Sequence, residues 1–483
     1  MISKYSLLED DFEYRGLWWL PSNPERQLSG CVKFTHNEQI LLEISVKSGE
    51  DDSEYFEVHK LFCRAKPQII HGVSDTGISI TLYKIEEYGE NSYVGYRKLR
   101  FYVHYIFVGR YFLEPDSLRF SSMQSDLTYL EEWMAPRFHS EYLNGNDGSE
   151  DIAEVIIRGT RRKEYEVTVE EIDAKIKIFC GLSEGSKTST QKHLSYHANL
   201  TIEPEESQSF DWFEDKLSKL QNLFTLLIGV PAYSRFVRVC SESASDIHVA
   251  LGGDVQIFYI AHNSQLVEQI DNRDMLTILP WLENRISTCV KQWFAKPDSL
   301  NSIYMLFFST LIDKSMYLEQ KFLSRIQALE SFHRKVYGNG AKYISDLEYG
   351  SILKILESAI PDSTNVDLRK KLINSLKYGN QLSLRERLQQ LIDDCWEGCF
   401  EHFVPKKDSF LWLITDTRNY LTHLDDNSKG KVAEGVELYL LNERLKFLLF
   451  ILFLKELNIP KEDTYNFLKS YKNCSGFAPR FFW

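Results

Sequence analysis

The 483-residue chain has no apolar run long enough to cross a membrane. Its longest uninterrupted one, Phe447 to Leu454, falls far below the roughly 20 residues that a spanning helix requires. No membrane partner is therefore expected, and that run reads as bundle core. A signal peptide is not visible either, since Met1-Ile2-Ser3-Lys4 leads into Glu9, Asp10 and Asp11 rather than an apolar segment. There is no P-loop, no Rossmann glycine fingerprint and no Gly-x-Ser-x-Gly elbow. The 8 cysteines fall mostly inside predicted strands and helices, which is the pattern of reduced core thiols, and a cytoplasmic location is the expectation. Cys395, Cys399 and His402 supply three zinc donors, but the fourth is missing and the spacing is unusual, so neither a metal nor a cofactor is expected.

What is present suffices for real cores: 43% hydrophobic and 13% aromatic residues over a length that accommodates two or three domains. Charge is uneven. Residues 1–300 carry 31 basic against 46 acidic side chains, a net of −15, whereas residues 301–483 carry 25 against 23, a net of +2. An acidic first part repels nucleic acid and suits a sensing or inhibitory role. In the second part Arg369-Lys370-Lys371, Arg385 with Arg387, and Lys406-Lys407 are candidate phosphate contacts, each of which could equally be a solvated helix face.

The two parts also differ in periodicity. Short alternating or β-branched runs dominate the first: Cys31–Thr35, Ile40–Val46, Ile78–Tyr83, Leu99–Val108, Ala153–Arg158, Tyr165–Val169, Lys175–Phe179, Ser195–Ile202, Arg235–Val239 and Val255–Ala261 are predicted strands, with a helix at Asp211–Ile228. Trp18 and Trp19, in Arg15-Gly16-Leu17-Trp18-Trp19-Leu20-Pro21, are either buried aromatics or an exposed recognition patch. Gly252-Gly253 and Asn339-Gly340 read as turns. The expected divisions are a β-rich region over 1–205, a mixed α/β continuation over 206–300 and a helical bundle over 301–483.

In the bundle, Tyr317–Tyr337 reads as a long helix whose stripe of Leu318, Phe322, Ile326, Leu329, Phe332 and Val336 is core, with Gln327, Glu330 and Arg334 on another face. Shorter helices at Ser351–Ile360 and Leu382–Cys395 follow, separated by a loop with Pro361 and Asp362 and by the Tyr378-Gly379-Asn380 turn. A helix capped by Asp408 or Ser409 begins near Phe410, and after the breaker Asp425–Gly430 the longest helix spans Val432–Leu457.

The end of the penultimate helix carries the chemistry. Arg418, Asn419 and His423 spell Arg-Asn-x-x-x-His, offering a guanidinium that can neutralise a phosphate, an amide that can orient it and an imidazole that can carry a proton. At about 100° per residue, Asn419 and His423 share a helix face while Arg418 and His423 lie about 140° apart. Either the helix unwinds after Tyr420, or two copies of the motif meet across a subunit interface. In a purely structural role, Arg418 would pair with Asp416 or Asp425 and His423 would be a cation at the helix C-terminus.

Placed late in a helical bundle, this motif resembles that of the HEPN domain, a nuclease and nucleotide-binding module of prokaryotic toxins and defence systems. The segment Arg15–Pro21, followed by Gly30 and two strands, resembles the N-terminal domain of the ApeA anti-phage family, which joins a β-rich region to a C-terminal HEPN domain. The implied fold class is α+β, a β-rich region followed by an all-α HEPN bundle. The resemblance implies a metal-independent endoribonuclease of abortive infection that cuts host RNA, with tRNA as the expected substrate. Its site would form in a homodimer or higher oligomer and answer to a phage-derived trigger protein. Arg418, Asn419 and His423 would be catalytic, and Glu330 would be the acidic residue that accompanies the motif. A role for His333 is left open. Toxins paired with nucleotidyltransferase antitoxins carry tyrosine two places after the histidine, where this chain has Asp425, a departure from that branch. The competing reading is a non-catalytic scaffold that grips a nucleotide or a partner, and a third is a β-rich ligand-binding protein with a helical dimerisation tail.

Overall fold

The computed structural model describes residues 7–48, 52–135, 138–144, 153–159, 162–188, 191–241, 254–261, 270–423 and 432–471. The turn read at Gly252-Gly253 and the breaker read at Asp425–Gly430 lie outside them. The chain divides into two units, Met1–Phe294 and Ala295–Trp483.

The first unit opens with β1 (Phe12–Leu20), β2 (Asn23–Thr35) and β3 (Gln39–Lys47). Helix α1 (Ser53–His59) follows and is prolonged by a π-turn (Lys60–Arg64), and then come β4 (Ile69–Ser74), β5 (Ser79–Tyr93) and β6 (Tyr96–Val108). The antiparallel order β6-β3-β2-β1-β4-β5 is closed by pairing of β5 back onto β6, giving a six-stranded barrel without a free edge. Val32 and Phe34, Leu42, Ile44 and Val46, and Leu99, Phe101 and Val103 are buried at alternate positions, as the two-residue period of a strand requires.

Trp18 and Trp19 belong to β1, and both are buried. Trp18 stands opposite Leu28 of β2 and Gly72 of β4. A Cβ at Gly72 would lie 2.2 Å from the indole Cζ3, and one at Gly30 would lie 2.8 Å from Cδ1. The barrel therefore admits its largest side chain only because glycines on neighbouring strands leave the room.

Strand β6 then changes partner. Residues 96–102 pair with β3, while residues 105–108 pair with the last strand of a second sheet. Chain order there is β7 (Arg119–Phe120), β8 (Ser122–Leu127), α2 (Leu130–Met134), β9 (Phe138–Asn144), β10 (Ala153–Gly159), β11 (Arg162–Val169), β12 (Ala174–Thr188), β13 (Gln191–Pro204), β14 (Gln208–Ser209), α3 (Phe210–Ile228), β15 (Ser234–Cys240) and β16 (Asp254–Tyr259). The sheet runs β11-β12-β13-β8-β15-β16-β6, and β9 with β10 and β7 with β14 form separate pairs. The Ser209 hydroxyl accepts from the Trp212 N–H at the start of α3, and left-handed Gly229 (φ 85°) ends it. Two helices, α4 (Leu279–Leu282) and α5 (Ile286–Phe294), complete this unit.

The second unit is helical: α6 (Asn301–Ile312), α7 (Leu318–Val336), α8 (Asp346–Ser358), α9 (Val366–Lys377), α10 (Leu384–Trp396), α11 (Lys407–His423), α12 (Gly435–Glu456) and α13 (Lys461–Ser470). Phe447 to Leu454 is buried throughout, as expected of bundle core. Phe322, Ile326, Leu329 and Phe332 are buried on α7, but Val336, read as the end of that stripe, is 43% exposed because the helix runs past its packing partners. Helix α9 was missed from the sequence although Leu368, Leu372 and Leu376 recur at steps of four, and neither it nor α8 has a buried residue. No helix among the described residues is long and apolar enough to cross a membrane.

Polar bonds knit the bundle core. Buried Arg325 of α7 donates to the Asn442 carbonyl of α12 at 2.6 Å and to Thr310 Oγ1 of α6 at 3.1 Å, while the Asn442 amide donates to Leu318 O at 3.0 Å. Burial lowers the Arg325 guanidinium to about 10, yet it stays charged at neutral pH. Three helices thus share one cation, and their register is coupled through it.

Two substitutions test these arguments. Gly72→Ala is expected to cost about 1–3 kcal/mol of barrel stability by displacing Trp18. An unchanged denaturant midpoint would show that the indole is not wedged. Arg325→Ala is expected to cost about 3 kcal/mol by leaving buried acceptors unpaired. A loss below about 1 kcal/mol in the unfolding of the helical unit would remove Arg325 as its tie.

Candidate functional site

Helix α11 begins at Lys407, about one turn earlier than the caps Asp408 or Ser409 would place it, and the Phe410 N–H already donates to Lys406 O at 3.1 Å. Phe410, Leu411, Ile414 and Thr417 are buried, and Thr417 Oγ1 accepts from the Ala433 N–H at 3.0 Å, fixing the C-terminal half of α11 to the approach of α12.

The helix is unbroken through His423, so the unwinding after Tyr420 that would have brought Arg418 round to His423 does not occur. Arg418 is half-buried and its Nη1 donates to Asn419 Oδ1 at 3.2 Å. Asn419 and His423 are exposed, and among the described residues His423 has no hydrogen-bond or ion-pair partner. Arg418 does not pair with Asp416, and Asp425 lies outside the described residues. The fold thus brings Arg418 to Asn419 and places the imidazole at the helix end.

One residue missed from the sequence belongs to the same surface. Trp412 is 52% exposed, with the Arg385 guanidinium 3.7 Å from its ring centroid. At about 100° per residue, Trp412, Asn419 and His423 fall within about 40° of one another on α11. The intervals of seven and eleven residues were the available signal. An aromatic ring, an amide and an imidazole along one exposed stripe can stack on a base and reach its phosphate.

Glu330 sits on α7, half-buried, with Arg334 Nη2 at 2.7 Å, and no bond joins it to the α11 residues. Next to it, fully buried His333 stacks on Tyr337 with ring centroids 4.6 Å apart, and its Nε2 bonds Gln390 Oε1 of α10 at 2.6 Å. Arg387, read as a phosphate contact, is only 2% exposed and donates to Leu382 O at 2.8 Å. Burial, helped by nearby Arg334, lowers its guanidinium below the ordinary value. Buried Arg387 Nη1 and His333 Nδ1 have no hydrogen-bond partner among the described residues.

The other basic candidates separate as well. Arg369 pairs with Asp362, Arg385 is engaged by Trp412 and lies 3.9 Å from Asp408, and Lys407 pairs with Asp393. Lys370, Lys371 and Lys406 remain exposed without partners among the described residues. Cys395 and Cys399 are buried, and burial pushes the Cys399 thiol up to about 12 and Cys395 higher still. His402 stacks on Tyr465 instead, and these three do not converge as metal ligands. The seven cysteines among the described residues are free thiols.

A closed barrel continued into a second antiparallel sheet, then an all-α unit with a late Arg-Asn-x-x-x-His, defines a protein of β-rich plus HEPN type. Residues 13–293 match the family model described as ApeA N-terminal domain 1, and residues 323–463 match that described as Apea-like HEPN. The chain belongs to the ApeA family, whose N-terminal model alone spans more than half of it. No curated protein and no solved structure matches it.

Burial pushes the His333 imidazole below the ordinary histidine value, the Gln390 bond opposes this, and Arg387 and Arg334 push the same way as burial. The folded state therefore holds fewer protons on this ring than the unfolded chain does. Stability from His333 is fully present above the unfolded pKa of about 6.5 and is lost as pH falls below it. His333→Gln should flatten the fall in helical-unit stability between about pH 6.5 and 5, read by thermal melts. A slope as steep as wild type would assign the acid sensitivity elsewhere.

Proposed function

We propose that this chain is a metal-independent endoribonuclease of anti-phage defence, acting by abortive infection on host RNA, with tRNA the expected target. The observation that carries the reading is the unbroken α11, which exposes His423 and Asn419 on one face and directs Arg418 about 140° away from His423. One copy cannot easily aim both cationic groups at one phosphate. Two copies related by a two-fold axis can, with Arg418 of one facing His423 of the other, and we therefore assign the site to a homodimer.

In the reaction, His423 takes the proton from the ribose 2′-OH or protonates the leaving 5′ oxygen. Arg418 stabilises the added charge on the phosphorane, and Asn419 positions the phosphate. Trp412, flanked by Arg385 and about 16 Å along α11 from His423, supports a base a few nucleotides away from the scissile bond. Attack by the 2′ oxygen breaks the P–O5′ bond and gives a 2′,3′-cyclic phosphate and a 5′-OH, so DNA is inert. The acidic first part of the chain, net −15 over residues 1–300, suits a control role rather than RNA binding. A phage-derived trigger protein is its expected partner.

The test compares RNA from cells expressing wild type, Arg418→Ala, His423→Ala, or both single variants together, with and without phage. Fragments with 2′,3′-cyclic ends are expected only with wild type and phage, and neither single variant should produce them. Co-expression should restore about a quarter of the cleavage, because half of randomly mixed dimers carry one intact composite site out of two. Cleavage by His423→Ala alone would sink the catalytic assignment. No rescue on mixing would confine Arg418 and His423 to one copy. Intact RNA in every sample, with phage protection retained, would leave a non-catalytic scaffold as the better reading.

A further inference from the structure

We propose that His59, Cys63 and Glu87 form a binding site for a zinc-class divalent cation in the barrel unit, with three protein ligands and a fourth position open to water. His59 closes α1, Cys63 lies in the π-turn that follows, and Glu87 lies on β5. Their ligand atoms all lie within 4.8 Å of one another. Tetrahedral coordination with bonds of about 2.0–2.3 Å places ligand atoms about 3.3–3.8 Å apart, so closure around an ion needs movements of about 1 Å.

Both elements depart from regular geometry where the ligands sit. The π-turn Lys60–Arg64 interrupts α-helical hydrogen bonding at Cys63. On β5 the register slips between Glu87 and Gly89, a bulge relieved by Gly89 at φ 144°. Such irregularities re-aim side chains, and here they aim an imidazole, a thiol and a carboxylate at one point. Thiol and imidazole donors select zinc-like ions over magnesium or calcium.

Burial graded across the three donors supplies a path: Glu87 is exposed, His59 half-buried and Cys63 only 4% exposed. On binding, Cys63 would coordinate as the thiolate, its proton leaving to solvent. Glu90 stays outside the ligand set, because its carboxylate accepts from the Tyr55 hydroxyl and lies 3.9 Å from Arg97.

Full-length protein, stripped with chelator, would be titrated with cobalt(II) and then with zinc(II). One cobalt per chain with thiolate-to-cobalt charge-transfer absorption is expected, displaced by zinc, absent in Cys63→Ser and unchanged in Cys395→Ser/Cys399→Ser. His59→Ala and Glu87→Gln should weaken binding roughly tenfold or more, and they carry the test if Cys63→Ser misfolds. Absence of the band in wild type, its survival in Cys63→Ser, or unchanged affinity in both other variants would overturn the site.

Discussion

The pitch of one helix governs what this protein's polar motif can do. At 3.6 residues per turn, a four-residue interval stacks Asn419 over His423, while a five-residue interval separates Arg418 from His423 by more than a third of a turn. Nothing in α11 relaxes this, because the helix continues to His423 and Thr417 ties it to the chain entering α12. A structure that let the helix fray after Tyr420 would have allowed a one-chain site. The continuous helix leaves Arg418 and His423 facing different ways, and the proposal of a two-copy site rests on that continuity.

Rigidity of α11 is in turn a property of the bundle. Leu411 and Ile414 bury one side of it, and α7 meets both α11 and α12. Arg325 fastens α7 to α6 and α12 through three buried bonds or near bonds, so the elements bordering the motif share a common register. A buried charge is weak evidence for stability taken alone, since an apolar replacement can pack as well. Its contribution here is orientation: Arg325 can satisfy its donors in only one alignment of the three helices.

Much of this architecture was legible residue by residue, and the failures have physical causes. Strands such as Ile40–Val46 announced themselves by alternation with a buried face, and β3 occupies nearly that range. Strand β8, reading Ser-Met-Gln-Ser-Asp-Leu, lies between two neighbours yet carries polar residues at most positions, so alternation alone could not separate it from a loop. Helix α9 was overlooked although its signals are present: Leu368, Leu372 and Leu376 recur at steps of four, and the Asn365 side chain caps it by accepting from the Asp367 and Leu368 N–H groups. At the site, the spacing of Asn419 and His423 could be read at once. Trp412 was signalled by its intervals of seven and eleven residues to Asn419 and His423, whereas the loss of Arg387 to the core needed three dimensions, because burial of an arginine leaves no mark in composition.

Charge accounting changes once internal pairs are removed. Residues 301–483 hold nearly equal numbers of each sign, but many of the basic groups are spent on neighbours: Arg369 on Asp362, Lys407 on Asp393, Arg334 on Glu330, Arg325 and Arg387 in the core. Among the described residues, the phosphate candidates without a partner are Lys370, Lys371 and Lys406. Three exposed lysines of this kind give only weak, strongly salt-screened attraction to a polyanion from one copy. Doubling the set across a two-fold axis would raise that attraction and would at the same time supply the missing half of the site. Electrostatics and helix geometry, though independent, thus favour the same assembly.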